Sequence, residues 1–73
     1  MKIPIRFKKL DCEKIEDVKR YLVVFGKVLS VGQTEKHTIF FLNPINISSI
    51  EENLKTLKET LKMVGYKGDL IDD

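Results

Sequence analysis

Apolar and polar residues repeat with two different periods along this chain, and the changes of period mark its elements. Ile3, Ile5 and Phe7 alternate with Lys2, Pro4, Arg6 and Lys8, the pattern of a strand with one buried face. Pro4 has no N–H to give a ladder, so the paired part of this strand is expected to begin near Ile5. After Asp11 the period lengthens. Asp11 suits a helix N-cap, and Ile15, Val18, Leu22 and Phe25 recur at helical spacing, with Tyr21 and Val24 widening the stripe. Gly26 is expected to end that helix in a left-handed conformation. Lys27–Gly32 then reads as a strand, Gln33, Thr34 and Glu35 as a turn, and His37–Asn43 as a partner strand in a hairpin. Asn43-Pro44-Ile45-Asn46 reads as a loop.

The second helix carries the clearest signals. Ser48-Ser49-Ile50-Glu51 has the letters of a capping box, which Ser49 and Glu52 repeat one residue later. Ile50, Leu54, Leu57, Leu61 and Val64 form its apolar stripe, and Glu51, Lys55 and Glu59 alternate in charge on the solvated side. Gly65 is the stop, and Tyr66 is placed to fold back onto Leu61. Gly68-Asp69-Leu70-Ile71 allows a very short last strand, and the acidic end, residues 69–73, is expected to fray.

The element order is thus β-α-β-β-α with a weak final β. Two helices with single apolar stripes bury them together on one face of a sheet, which makes the fold class α+β, a two-layer sandwich. The right-handed crossover and the hairpin favour a ferredoxin-like β-α-β-β-α-β arrangement, strand order 4-1-3-2, with a short or missing last strand. In that order the stub leaves the start of the first strand unpaired, where Pro4 is tolerated.

Composition narrows the classes. The 73 residues suit a single domain, 1–73, and the apolar 42% and charged 33% describe an ordered chain. No apolar run approaches the roughly 20 residues that span a membrane, and the N-terminus lacks the long apolar stretch of a secretory signal. A cytoplasmic protein with no membrane partner is expected. The net charge is +2, and +5 without Asp69, Asp72 and Asp73, so the body is moderately basic. Lysine exceeds arginine and isoleucine is frequent, a bias that fits an AT-rich or thermophilic source.

Little in the chain supports catalysis. Cys12 and His37 are the sole cysteine and histidine, too few for a four-ligand metal site, and Cys12 reads as a small, partly buried residue. A phosphate-binding glycine loop and paired-carboxylate signatures are missing, so no enzyme, metal or cofactor is expected. Gly65-Tyr66-Lys67-Gly68 has the letters of a GxxG loop but reads as a helix stop and turn.

What remains is the side of the sheet that the helices leave open. Alternation along His37–Asn43 points either Ile39 and Phe41, or Thr38, Phe40 and Leu42, away from the helices, and each choice exposes a phenylalanine. Residues Ile15–Asn43 resemble the first helix and the second and third strands of RNA recognition motifs. The aromatic-glycine pair Phe25-Gly26 closes the helix, a valine-containing strand follows, and the strand from Lys36 to Asn43 takes the place of the one whose aromatics stack on bases. Under that resemblance Lys36 matches the basic start of the third-strand signature, and Thr38 and Phe40 fall at the stacking positions, of which Phe40 alone is aromatic. His37 stands where the family has glycine, and Pro4 where its first strand has an aromatic.

The expectation is a non-enzymatic binding module that takes RNA or single-stranded nucleic acid on Phe40, with Lys2, Arg6 and Lys8 at phosphates and His37 nearby. The alternative is protein association or homodimerisation through the same face, favoured by the register that exposes Ile39 and Phe41.

Overall fold

The computed structural model describes residues 2–45 and 47–71. The chain forms an α+β domain, a three-stranded antiparallel sheet with two helices. Its elements are β1 (Ile3–Lys8), α1 (Cys12–Leu22), β2 (Gly26–Gln33), β3 (His37–Pro44) and α2 (Ile50–Leu61), with a 3-10 turn at Ile47–Ser49 before α2 and a wide π-type turn at Lys62–Tyr66 after it. The order across the sheet is β1-β3-β2, with β3 antiparallel to both neighbours.

Ile5 and Phe7 of β1 and Thr38, Phe40 and Leu42 of β3 point to one face, where they meet Val18 and Leu22 of α1 and Leu57 and Leu61 of α2. Phe7 sits at the middle of this layer. Its ring is edge-on to Phe40, with centroids 5.3 Å apart, and to Tyr66 at 6.1 Å. Thr38 is the one polar side chain buried in this layer among the described residues. Its hydroxyl accepts from the Leu10 N–H at 2.9 Å, and Gln33 Nε2 donates to the Leu10 carbonyl at 3.0 Å. The start of β3 is thereby clipped to the turn that leads into α1, and the buried oxygen is satisfied.

Pro4 pairs with Phe41 in register, so pairing to β3 starts at Ile3 and not near Ile5. The reason lies in the other edge. Phe7 and Leu70 form an antiparallel bridge, in which Ile71 N–H donates to the Arg6 carbonyl and Lys8 N–H to the Asp69 carbonyl. Even-numbered residues of β1 therefore direct their backbone groups outward, and the N–H that Pro4 lacks would face that outer edge. Asp69 to Ile71 are held by these bonds where fraying was expected. Asp72 and Asp73 lie outside the described residues, as does Asn46 of the expected loop, while Asn43 and Pro44 belong to β3.

Three boundary expectations are corrected by packing. Asp11 does cap α1, its Oδ1 accepting from Lys14 N at 2.8 Å, but α1 ends at Leu22 and Gly26 opens β2. Gly26 is required by closeness: a Cβ there would run into the Asn43 carbonyl oxygen and stand 2.8 Å from the Pro44 Cα. Of the two serine boxes, the one at Ser49 and Glu52 lacks its serine bond, since Ser49 stands at the N-cap of α2 without a side-chain capping bond. The apolar stripe of α2 stops at Leu61, because the wide turn rotates Val64 and Met63 out to 40% and 86% exposure. Gly65, with φ of 114°, has the left-handed backbone expected of a stop. Tyr66 then turns back into the core.

Candidate nucleic-acid interface

On the side of the sheet away from the helices, the register sets side chains in rows that cross the strands. Pro4, Phe41 and Ser30 form one row, Arg6, Ile39 and Gly32 the next, and Lys8 and His37 the one after. On the other flank Asn43 pairs with Lys27, and Lys2 leads into β1. Neighbouring rows are two residues apart along each strand, about 7 Å.

The phenylalanine on this face is Phe41. Phe40 and Thr38 are both 0% exposed and face the helices, so neither is available as a stacking platform. The expectation that Phe40 lies on the open face is corrected: the phenylalanine there is Phe41. Ile5, Phe7 and Ile3 of β1 are the inward residues, and they pair with Phe40, Thr38 and Leu42, which fixes which half of β3 is buried. Ile39 and Phe41, the other register, are partly exposed.

Phe41 does not stand upright from the sheet. Its Cε2 lies 3.8 Å from the point where a Cβ on Gly32 would be, so the ring leans across β2 into the space that glycine leaves. Lys2 Nζ sits over the ring, 4.8 Å from its centroid, in a cation–π contact. A flat aromatic ring beside an ammonium group suits a base with its phosphate.

Positive charge is concentrated on the open face of the sheet. None of the eleven acidic residues falls in a described strand. Lys2, Arg6, Lys8 and Lys27 give the open face +4, which leaves nine basic against nine acidic residues among the rest of the described chain. A net charge of +2 hides that concentration.

Of the residues expected at the site, the structure brings Lys2, Arg6, Lys8, His37, Ile39 and Phe41 to one surface and removes Phe40. Lys27, Ser30 and Gly32 join from β2 and were not foreseen. A register shift between Val28 and Ser30 lets Val28 and Val31 both pair with inward residues of β3. That break in strict alternation leaves Leu29 45% exposed. The spacing of three between the two valines was the available signal.

The other surfaces offer less chemistry. A shallow depression of about 650 Å³ runs along α1 from Cys12 to Arg20 and ends on Tyr66, lined by charges of both signs. Cys12 is exposed there and not partly buried as expected. Groups of three or more potential metal ligands are lacking among the described residues, and no described helix is long and apolar enough to cross a membrane. Tyr66 lies at the end of the depression, its hydroxyl donating to Asp17 Oδ2 at 2.7 Å. Burial pushes the phenol well above its ordinary range, and the bond to Asp17 and that group's negative charge add to the effect.

A tyrosine that ionises later in the folded chain than in the unfolded one contributes stability that is intact below pH about 10 and declines as pH rises further. Tyr66→Phe is expected to flatten that alkaline decline relative to the unaltered chain, and to cost about 1–2 kcal/mol at pH 7 through the lost bond. Urea titrations of both chains between pH 7 and 11 check both parts.

Comparison with protein-family models, with curated proteins and with solved structures gives no match to this chain.

Proposed function

We propose that this protein is a non-enzymatic module that binds single-stranded RNA, or single-stranded nucleic acid more generally, on the open face of its sheet. The observation that carries the reading is the pairing of Phe41 with its surroundings: a ring reaching toward Gly32, with Lys2 over it, on a face of +4 whose described strands hold no acidic residue. The rows suit an extended strand, with a base on Phe41 and phosphates at Lys2 and Lys27 on one flank and at Arg6 and Lys8 on the other. The Phe7–Leu70 bridge on the outer edge of β1 supports reading the fold as ferredoxin-like with a stub for a last strand. It also supports the likeness to RNA recognition motifs, with the stacking position moved from Phe40 to Phe41.

Phe41→Ala is expected to weaken binding of an RNA octamer by about fivefold or more, since stacking is worth about 1–3 kcal/mol per base, with little change in melting temperature. Fluorescence anisotropy at low salt, with a melt of each chain, checks it. Unchanged affinity in a folded variant contradicts the reading.

Ile39 and Phe41 also favour a second reading, in which the same face packs against another protein. A second copy is disfavoured by charge, because face-to-face packing would set +4 against +4. An acidic partner meets no such obstacle. A dimer that persists in sedimentation at low salt and micromolar concentration would contradict the charge argument.

A further inference from the structure

A further group of basic residues lies beside the proposed platform, at the end of the sheet where β1 finishes and β3 begins. Lys8 and His37 are partners in register on the open face. Lys9 N–H donates to the Lys36 carbonyl at 3.1 Å one pair further on, where alternation turns to the other face. Three lysines and the histidine thus ring the end of two adjacent strands. The backbone holds them there. His37 N–H donates to Thr34 Oγ1 at 3.0 Å and Thr34 N–H to the His37 carbonyl at 2.9 Å, while Lys8 N–H donates to the Asp69 carbonyl at 2.7 Å. Three described acidic residues are near in the chain path, Asp11 after Lys9, Glu35 in the turn and Asp69 on the bridge. Asp11 Oδ1 accepts from Lys14 N at 2.8 Å, and the Asp69 carboxylate faces Lys14 Nζ at 4.0 Å. Lysines carried on adjacent strand ends repel one another, and an anion placed among them relieves the repulsion.

We infer that Lys8, Lys9, Lys36 and His37 form an anchoring subsite for phosphates of the strand whose base stacks on Phe41. The inference rests on the nucleic-acid reading for the source of those phosphates. His37 is four residues from Phe41 along β3, about 13 Å, roughly the span of two extended nucleotides. Lys9 and Lys36 lie beyond the face described above, so the subsite would lengthen the footprint past the platform.

The test compares two double variants in the full chain. Lys9→Gln with Lys36→Gln is expected to lower affinity for an RNA octamer about tenfold at low salt, and to reduce the slope of log affinity against log salt by about 1.4, two contacts at about 0.7 each. Lys19→Gln with Lys55→Gln removes the same charge from the helices and is expected to leave the slope unchanged. If the first pair also leaves the slope unchanged while Phe41→Ala still weakens binding, the subsite is overturned and the platform stands. If the unaltered chain binds no octamer, both fall. A melting shift with tripolyphosphate that is lost in the first pair, with the RNA slope unaffected, would mark a site for a free anion and overturn the inference as stated.

Discussion

Phe40→Ala should strongly destabilise this chain, whereas the same change one residue later should leave its stability nearly intact and weaken the proposed binding of RNA. Phe40 is fully buried, edge-on to Phe7 and paired with Ile5 across β1, in a layer with few large side chains to spare. Emptying such a site costs about 3–5 kcal/mol, the lost transfer energy plus the cavity left behind. A chain of 73 residues has about 4–11 kcal/mol in total, at about 0.05–0.15 kcal/mol per residue. The loss is therefore a large share of what there is. Urea titration read by circular dichroism should show a midpoint far below that of Phe41→Ala. Similar midpoints for the two variants would mean that the assignment of faces on β3 is wrong.

Gly26→Ala is the second large effect, and its cause is backbone and not conformational freedom. The added methyl would meet the Asn43 carbonyl oxygen and the Pro44 Cα, parts of β3 that have no rotamer to change. The strands would have to part where β2 starts, beside the bond from Ile45 N–H to the Phe25 carbonyl. Overpacking of this kind costs about 1–3 kcal/mol and occasionally more, and a backbone obstacle puts Gly26→Ala at or above the upper end. Gly32→Ala is the matched control, since its Cβ would reach the Phe41 ring at an ordinary 3.8 Å. Equal melting temperatures for the two alanine variants would contradict the close approach.

Much of this fold was readable from periodicity, and the places where it was not have physical reasons. The stripes of α1 and α2 and the alternation of β1 each have one apolar side, so each could be oriented without a partner. β3 could not, because His37–Asn43 is apolar on both faces. The clue was at its ends: His37 and Asn43 share their face with Ile39 and Phe41, which marks that face as the solvated one. Thr38 argued the other way. Its hydroxyl proved to be buried and bonded to Leu10 and near Gln33, contacts that no local pattern announces. Gly26 and Ser49 were misread for a related reason. Each residue type suits a local role, helix stop or cap, and tertiary packing used Gly26 for closeness and left Ser49 without a capping bond.

The site was legible in its charges and not in its centre. Lys2, Arg6 and Lys8 follow from strand parity alone, but the ring they surround depended on a register set by a neighbouring strand. The contribution of β2 depended on a bulge, which breaks the alternation that would have announced it.

The central claim is that single-stranded nucleic acid binds the open face around Phe41, and a titration of the 15N-labelled chain with an RNA octamer tests it most directly. Amide shifts are expected to cluster at Lys2, Arg6, Lys8, Ser30, Gly32, His37, Ile39 and Phe41, with α1 and α2 nearly unmoved. Shifts confined to the helices, or no shifts at low salt, would contradict it.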